Sequence, residues 1–481
     1  MTYAGAQFDQ TTAELLSPAD YQNPTAKSRY HLAVVGAGPA GLIAAIGAAG
    51  LGAKVALIER HRMGGDCLNV GCIPSKALLE YTAEHPQAEF SDAFAWLREV
   101  RAGIAPNDSV ARYSEAGVDV FLGDGLFNEA GKLVVADQVL SARRIVICTG
   151  ARADIPPIPG LRESSPLTNE TVFDLTAKPK SIAIVGAGAI GCELALVFAR
   201  LGVDVHLFEL AQRVLPLEIE QASAEVGRAL IAAGVQMHVG QGVSKVSHST
   251  AGYTVHNESG EVGTERLLVA LGRRPNTEGL GLEHAGVELN ERGFILTDAK
   301  LRSSNKHIYA AGDCTAALQF THHADAQARA IIQNTLFAPT AKIDKLIVPH
   351  CTYTKPEVAS VGPSPTELDA SGIAYDMFEV DFSDLDRGRA EVNGNGFARV
   401  YTQKGSDKIL AATIVGHDAG EQIAPICILM SSKLGLAAAG KTLFSYPTRS
   451  EYLKRLADAY ARTRLTPRVA SLFKRWLSLT A

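Results

Sequence analysis

The chain has 481 residues, of which 47% are hydrophobic and 20% are charged, and its formal net charge is −5. This length corresponds to about three domains of typical size, and the acidic balance, which leaves no basic excess to neutralise phosphates, argues against a nucleic-acid partner. Seven cysteines scattered over so long a chain are not the disulfide framework of a small secreted protein.

The first sixty residues match neither the pattern of a signal peptide nor that of a membrane span. Residues 1–27 are polar and lack the basic start and apolar stretch of a signal peptide. The most apolar region, from Leu32 to Ile58, is interrupted by glycines and a proline and never reaches the 18 apolar residues that a membrane span needs. A cytoplasmic location is expected.

The first informative pattern is a glycine loop between two predicted strands. Residues 31–35 and 54–58 are typical of short buried strands, a helix of small residues is predicted over 42–51, and the second strand ends at Glu59. This is the order of a dinucleotide-binding unit, in which the phosphates lie at the helix N-terminus and the acid binds a ribose. The loop is Gly36-Ala37-Gly38-Pro39-Ala40-Gly41. Its first glycine allows the tight turn, its second lets the backbone approach the pyrophosphate, and its third lets the helix pack on the sheet.

The same arrangement recurs further along the chain. Predicted strands over 181–185 and 203–208 flank a second glycine loop and a helix over 192–201, and the second strand ends at Glu209. A carboxylate there pairs with a free 2′-hydroxyl and repels a 2′-phosphate, which favours NADH. Arg213, four residues on, keeps NADPH possible. The second loop is Gly186-Ala187-Gly188-Ala189-Ile190-Gly191.

Two cysteines, Cys67 and Cys72, lie in a glycine-rich segment between the two units. In a regular α-helix, residues five apart have Cα atoms roughly 8.6 Å apart, whereas a disulfide needs less than about 7 Å. The segment must therefore be bent or overwound if the cysteines pair, and Gly71 is the residue that permits it. Such a bond is expected to be strained and easily reduced, which suits catalysis.

The residues after Cys72 are typical of a helix start, since Pro74 stands in its first turn. The helix dipole and the charge of Lys76 are expected to lower the pKa of the Cys72 thiol. Two alternatives stay open: a pair of buried structural thiols, and a metal clip, which needs closer spacing and further ligands that do not cluster here. The pattern favours a redox-active pair.

These motifs resemble those of the pyridine nucleotide–disulfide oxidoreductases, a family that includes dihydrolipoamide dehydrogenase, glutathione reductase and mercuric reductase. The likeness extends from about residue 30 to about residue 465. Three further segments carry it. They resemble the strand that closes the first FAD segment, the return from the nicotinamide domain and the second FAD motif, here 145–150, 271–276 and 308–313.

The resemblance implies that FAD and NADH are the cofactors, with NADPH possible. It assigns the first loop and Glu59 to FAD, and Asp313 to the ribityl chain of FAD. By the same likeness Cys72 faces the flavin and Cys67 exchanges with the substrate. The other residues that the likeness places at the site are Lys76 paired with Glu193 near the flavin, together with Gly65, Asp66, Thr149, Gly150, Gly272 and His322.

One position departs from the family's pattern. Disulfide reductases of this family complete the active site with a His-Glu pair from the partner subunit, and this chain keeps Glu451 but has Tyr446 in place of the histidine. A tyrosine with a pKa near 10 is a poor proton acceptor, and loss of such a base costs about 10²–10⁴-fold. Efficient turnover of dihydrolipoamide or glutathione is therefore not expected. Mercuric reductases, which also carry tyrosine there, are more similar at this point, although the last residues here hold no vicinal cysteine pair.

The predicted fold is α/β, with two nested Rossmann-like dinucleotide-binding domains and a C-terminal α+β dimerisation domain. The predicted function is a mercuric reductase-like, FAD-dependent NAD(P)H oxidoreductase that forms a homodimer and passes electrons to a thiol-reactive metal ion or a small disulfide. The alternatives are a dihydrolipoamide dehydrogenase, and an E3-like assembly subunit or redox sensor; no resident metal site is predicted. The predicted bounds are an N-terminal extension over 1–27, an FAD domain over 28–150 and 270–345, an NAD(P) domain over 151–269 and an interface domain over 346–481.

Near its end the chain has an amphipathic pattern. A membrane-surface role is one interpretation; packing at the dimer interface is favoured, and membrane association is not expected. The apolar residues Val469, Leu472, Phe473 and Trp476 follow helical spacing, with Arg468, Lys474 and Arg475 on other faces.

Overall fold

A computed structural model describes residues 3–315, 318–392 and 394–480. The chain forms two compact units, one of residues 1–210 with 234–345 and one of residues 211–233 with 346–481. The second unit resumes at residue 346, where the interface domain is predicted to start. Residues 211–233, which the sequence places in the NAD(P) domain, group with the second unit. None of the described helices is long and apolar enough to cross a bilayer.

The first unit starts with a helix and a parallel sheet whose strands alternate with helices. In chain order its elements up to residue 153 are α1 Ala6–Leu16, β1 Tyr30–Val35, α2 Pro39–Gly50, β2 Val55–Glu59, α3 Gly65–Asn69, α4 Cys72–Glu84, α5 Phe90–Ile104, α6 Val110–Glu115, β3 Val118–Leu122, β4 Gly125–Phe127, β5 Leu133–Val135, β6 Gln138–Leu140, β7 Ala142–Ile147 and β8 Ala151–Ala153.

The chain then runs through a second sheet and returns to the first. The next elements are β9 Ser181–Val185, α7 Ala189–Arg200, β10 Asp204–Glu209, α8 Glu220–Ala232 (in the second unit), β11 Gln236–Val239, β12 Lys245–Ser249, β13 Gly252–Asn257, β14 Gly260–Thr264, β15 Arg266–Val269, β16 Arg273–Pro275, β17 Ile308–Ala310 and α9 Thr321–Leu336.

Two parallel sheets confirm the predicted pair of Rossmann-like domains. The first has the strand order β17-β7-β1-β2-β3, and the second the order β11-β10-β9-β15. Strand β2 is buried along its whole length, as expected for a parallel strand covered on both faces. Helices α2 and α9 pack on each other and on the core of the first sheet. Each sheet therefore presents a glycine loop at the carboxyl end of its first strand.

The helices after both loops begin three residues earlier than the sequence predicted, at Pro39 and at Ala189. Proline suits the first helical turn because its fixed φ is already helical and its missing N–H has no partner there anyway. The third glycine of each loop thus lies inside the helix rather than before it, which brings the helix axis close to the preceding strand.

The second unit contains one antiparallel sheet of order β18-β19-β22-β21-β20. Helix α14 packs on it through Tyr452, Leu453 and Leu456, which confirms the predicted α+β domain. Its elements are β18 Pro349–Thr352, β19 Glu357–Val361, α10 Pro365–Ala370, β20 Tyr375–Asp381, α11 Asp386–Ala390, β21 Phe397–Gln403, β22 Ile409–Gly416, α12 Ala419–Gln422, α13 Ala424–Ser431, α14 Glu451–Arg464 and α15 Pro467–Thr480.

The N-terminal extension braces the cysteine segment. Asp9 of α1 pairs with Arg98, whose Nε lies 3.0 Å from Oδ2, and with Arg101; both guanidinium groups are almost fully buried. Arg101 also donates a hydrogen bond of 3.0 Å to the backbone oxygen of Asn69, the last residue of α3. A carboxylate outside the predicted domains therefore balances the charges that hold the cysteine segment in place.

We expect Asp9→Asn to lower the free energy of unfolding by about 3 kcal/mol, because Arg98 and Arg101, both buried, then lose their nearest carboxylate. Urea unfolding followed by circular dichroism measures the change, and Asp20→Asn, at an exposed position of the same extension, is the matched control. Equal stability of the two variants would show that the pairing contributes nothing.

Candidate active site

The cysteine segment is bent where the sequence predicts. Helix α3 ends at Asn69 and helix α4 begins at Cys72, so Gly71 lies in the break between them. A Cβ atom at Gly71 would lie 2.8 Å from the backbone oxygen of Asp66, which leaves no room for a side chain. Cys67 and Cys72 are free thiols within hydrogen-bonding reach of each other, which is close enough for a modest movement to bring the sulfurs together.

The two thiols differ in acidity. The hydrogen bond from Cys67 lowers the pKa of Cys72 to about 6, and although burial opposes the shift, the Thr321 hydroxyl, 3.6 Å from Sγ, and the charge of Lys76 act in the same direction. The same hydrogen bond, together with burial, raises the pKa of Cys67. At neutral pH Cys72 is therefore the thiolate and Cys67 the protonated partner, and Cys72 lies at the N-terminus of α4, where the helix dipole favours its charge.

We expect alkylation of Cys72 by iodoacetamide in the reduced protein to rise with pH and to level off above about pH 6 to 7, because only the thiolate reacts. In Cys67→Ala the midpoint shifts towards 9, and alkylation at pH 7 is roughly tenfold slower or more. Peptide mass spectrometry measures the rates. Cys314 and Cys427, whose pKa values burial raises to about 11, are internal controls, and a Cys72 midpoint that does not move in Cys67→Ala contradicts the assignment.

An ion pair joins the cysteine helix to the second dinucleotide domain. Lys76 Nζ lies 2.8 Å from Oε2 and 3.1 Å from Oε1 of Glu193, which is nearly buried on α7. Sequence reasoning paired these two residues, and the structure brings them together. The pair fixes one cationic group a single helical turn from Cys72.

The first glycine loop fits a nucleotide. Gly36 has a φ of +103°, and a Cβ atom there would lie 2.3 Å from the backbone oxygen of Cys148. A Cβ atom at Gly41 would lie 1.8 Å from the oxygen of Gly36. Glu59 accepts a 2.8 Å hydrogen bond from the backbone N–H of Ala37, so its carboxylate orders the loop as well as standing at the predicted ribose position.

The buried groups beside this loop also fit FAD. Arg273 pairs with Asp66, and its Nε atom, buried and without a hydrogen bond among the described residues, lies 3.6 Å from Asp313 Oδ2. Burial raises the pKa of Asp313. The backbone of Gly65 comes so close to Gly38 that a Cβ atom at Gly65 would lie 2.5 Å from the Cα atom of Gly38. The Nε atom of Arg273 can donate a hydrogen bond to a ribityl hydroxyl. The backbone of Gly38 and Gly65, which carry no side chains, leaves room for a pyrophosphate.

Sequence reasoning missed Arg273, although it directly follows Gly272 in a recognised motif. Of the other predicted FAD contacts, Thr149 donates a 2.7 Å hydrogen bond to the oxygen of Asn276, and Gly150 has a φ of +69°. The exposed ring of His322 stacks on Phe320. Thr149 and Gly150 thus follow the carboxyl end of β7, beside the first glycine loop. His322 instead presents its ring to solvent.

The second glycine loop has nearly the same geometry as the first. A Cβ atom at Gly191 would lie 1.9 Å from the oxygen of Gly186, and one at Gly188 would meet no atom within 4 Å. Glu209 accepts a 2.8 Å hydrogen bond from the N–H of Ala187, and Ile190 is 42% exposed beside the loop. The space above Gly188 is open to a second pyrophosphate.

A cavity of about 350 Å³ lies beside Cys67. Its wall is mainly apolar, and it also holds Asp108, whose pKa burial raises. Helices far apart in the sequence supply its lining, so periodicity alone gave no signal for it. The lining residues besides Cys67 and Asp108 are Pro39, Leu42, Ile43, Ile46, Gly64, Leu68, Ile73, Ile104, Arg112 and Tyr113.

Tyr446 and Glu451 lie in the second unit. Tyr446 is 72% exposed, and its hydroxyl donates a 2.7 Å hydrogen bond to Asp386, which raises the pKa of the phenol. Glu451 starts α14 and pairs with Arg455 at 3.0 Å. The phenol is therefore a still weaker acid than a free tyrosine and stays protonated at neutral pH.

Two nucleotide cradles with a pair of unequal thiols between them define a nucleotide-dependent dithiol–disulfide oxidoreductase. The family model "Pyridine nucleotide-disulphide oxidoreductase" matches residues 30–328, and the model of that family's dimerisation domain matches residues 348–457. The chain belongs to this family of enzymes, whose members bind FAD and take electrons from NAD(P)H.

Relatives within the family have different substrates. A dihydrolipoyl dehydrogenase of Chlamydia muridarum is 33% identical over 439 residues, which cover 87% of this chain and 94% of that protein. A mercuric reductase of Acidithiobacillus ferrooxidans is 31% identical over 456 residues, covering 90% and 83%. The HOCl-induced flavoprotein disulfide reductase RclA of Escherichia coli, solved as a Cu(II) complex, superposes with a TM-score of 0.82 at 28% identity, covering 88% of this chain and 99% of that one.

Proposed function

We propose that this enzyme uses NADH, with NADPH as a possible substitute, to reduce a Cys67–Cys72 disulfide through FAD, and that the dithiol then reduces a small disulfide or a thiol-reactive metal ion. The observation that carries the proposal is the unequal thiol pair, with Cys72 as thiolate and Cys67 beside an apolar cavity. When bound, FAD supplies hydride acceptance and two-electron transfer to sulfur.

The roles of the chain's own groups follow from the site geometry. The first loop with Asp313 and Arg273 holds FAD, the second loop with Glu209 holds the nicotinamide nucleotide, and Lys76 keeps a positive charge next to the Cys72 thiolate. Cys67, at the cavity, passes its proton to the Cys72 thiolate along their hydrogen bond and attacks one sulfur of the substrate, and the other sulfur leaves as a thiol after taking that proton from Cys72. Cys72 then attacks the Cys67 sulfur and releases the second thiol.

The overall reaction balances with one nicotinamide. NAD(P)H, a proton and one disulfide give NAD(P)⁺ and two thiols. In place of the disulfide, one Hg(II) ion takes both electrons, or two Cu(II) ions take one electron each, and the two sulfurs are soft ligands of the kind that such ions prefer. The Cu(II) complex of the structural neighbour RclA supports a metal ion as the second class of acceptor.

The cavity favours small acceptors with apolar substituents. Side chains such as Ile43, Ile46 and Ile104 form most of its wall, while Asp108 and Arg112 supply its charges. A volume of about 350 Å³ is at the small end of ligand pockets, and a highly charged disulfide would lose its hydration there with few partners.

The test is oxidation of NADH and, separately, NADPH by the holoenzyme with a panel of acceptors: a dialkyl disulfide, lipoamide, glutathione disulfide, Hg(II) and Cu(II). We expect acceleration by the dialkyl disulfide or by a metal ion, with NADH preferred. If no acceptor accelerates oxidation while FAD is retained, the redox-sensor or assembly-subunit alternative replaces the proposal.

Dihydrolipoamide dehydrogenase is the second candidate, favoured by the identity to relatives with that activity. Against it stands Tyr446, a protonated phenol where the family's disulfide reductases have a base. We expect Tyr446→His to raise turnover of lipoamide by about 10²-fold, since imidazole accepts a proton at neutral pH. Tyr446→Phe, which removes the hydroxyl without adding a base, is the control, and equal rates in both variants refute this reason for demoting lipoamide.

A further inference from the structure

Helix α15 is an amphipathic helix outside the core of the second unit. Over its described residues 467–480 it buries no side chain, whereas the preceding helix α14 buries four. Its large apolar side chains are the most concentrated exposed apolar set near the end of the chain: Leu472 65%, Phe473 54%, Trp476 65%, Leu477 63% and Leu479 83% exposed. Five large exposed apolar side chains on one helix of 14 residues form a contiguous patch rather than scattered single residues, and such a patch indicates a binding partner.

The two faces of α15 are cleanly separated. At 100° per residue, the large apolar side chains lie within an arc of roughly 160°. Serines and basic residues occupy the opposite side, and no acidic residue falls between 459 and 481, where five basic residues stand in a chain of net charge −5. The helical basic residues are Arg468, Lys474 and Arg475.

We propose that α15 binds this enzyme to the surface of a bilayer that contains anionic lipid. A helix about 21 Å long with one apolar face, flanking cations and a tryptophan is of the type that lies in the plane of the lipid headgroups. The positive charge of the tail is complementary to an anionic surface. Each lysine or arginine near such a surface raises the binding affinity about fivefold. The acidic remainder of the chain gains nothing from such a surface, so the attraction is local to the tail.

A second copy of the chain is the competing occupant of this face. The match to the family's dimerisation model ends at residue 457, ten residues before α15, so the helix lies outside the segment that this model covers. Pairing of α15 with its own copy through the apolar face would leave Arg468, Lys474 and Arg475 on the outer side of the helix pair with no carboxylate of the same helix beside them, whereas an anionic surface supplies these charges with a counterpart. The observations therefore favour lipid over a second helix.

The test is co-sedimentation of the full-length, FAD-loaded protein with vesicles of phosphatidylcholine containing about 30 mol% phosphatidylglycerol, compared with pure phosphatidylcholine. We expect binding to the anionic vesicles that weakens with salt. The triple variant Arg468→Gln, Lys474→Gln and Arg475→Gln lowers the partition coefficient by about 100-fold, and Leu472→Asp with Trp476→Asp abolishes it. The matched control is Leu217→Asp with Val392→Asp, at exposed apolar sites elsewhere.

A second readout locates the contact. The chain has two tryptophans, so in Trp96→Phe the emission reports Trp476 alone, and it shifts to the blue with anionic vesicles only. The inference is overturned if vesicle binding is absent, or is the same in the tail variants and the control. A different outcome would favour a second copy of the chain as the partner of α15. In that outcome the parent protein does not bind vesicles, and Leu472→Asp with Trp476→Asp dissociates the dimer in sedimentation velocity.

Discussion

Cys72→Ser and Cys67→Ser are each expected to lower acceptor-dependent NADH oxidation by roughly 10³-fold or more, because each removes a sulfur that no neighbouring group replaces. The two variants should differ in other respects. Cys67→Ser keeps the thiol at the N-terminus of α4, whereas Cys72→Ser keeps the thiol beside the cavity. Steady-state assays with the acceptor that works best measure the loss.

FAD content and the control variant decide what such a loss means. Both variants should bind FAD in the parent ratio, since the groups that fit FAD are the first glycine loop, Asp313 and Arg273. Cys427→Ser, which changes a partly buried thiol in the second unit, should keep parent activity. Acceptor turnover that survives in Cys72→Ser would mean that electrons reach the acceptor without the pair, and the proposed path would be wrong.

Gly41→Ala and Gly191→Ala are expected to separate the two cofactors. Each added Cβ atom would lie within 2 Å of the oxygen of the first glycine in its loop, 1.8 Å at Gly41 and 1.9 Å at Gly191, so the helix must move away from its strand. We expect Gly41→Ala to weaken FAD binding by about 10- to 100-fold, and Gly191→Ala to retain FAD while raising the KM for NADH by a similar factor.

The paired design guards against a general loss of folding. Gly50→Ala, in the same helix as Gly41 but with no atom within 4 Å of the added carbon, should leave both cofactors unaffected. FAD retention is measured by absorbance after gel filtration, and NADH binding by the rate of flavin reduction. The assignment of the loops would be reversed if Gly191→Ala lost FAD and Gly41→Ala kept it.

Local patterns predicted most of the fold. A glycine loop needs a particular order of strand, turn, helix and acid, and both copies appear in the structure with their glycines packed against backbone oxygens. The bend at Gly71 and the helix start at Cys72 also followed from residues next to one another in the chain. Helix starts at Pro39 and Ala189 were placed three residues late, since a glycine suggests a loop when it is instead the residue that lets a helix approach a strand.

The cavity beside Cys67 and the brace from Asp9 were not predictable in this way. The cavity wall combines residues from α2, α3, α4, α5 and α6, and a hydrophobic period shows that a helix has an apolar face without showing whether another helix covers it. Asp9 belongs to a polar segment without any motif, and its role depends on two arginines about ninety residues away that only the packing of α1 on α5 brings within reach.

The sequence by itself predicted the class of enzyme, through the resemblance of its motifs to a family, and it predicted the two nucleotide loops and the cysteine pair from residues whose spacing along the chain sets their geometry. Only the tertiary structure showed that Cys67 donates the hydrogen bond that contributes most to the low pKa of Cys72, what lines the space beside Cys67, and that α15 stays outside the core. These depend on hydrogen bonds and burial between distant segments, and burial is a property of the folded molecule that spacing does not encode.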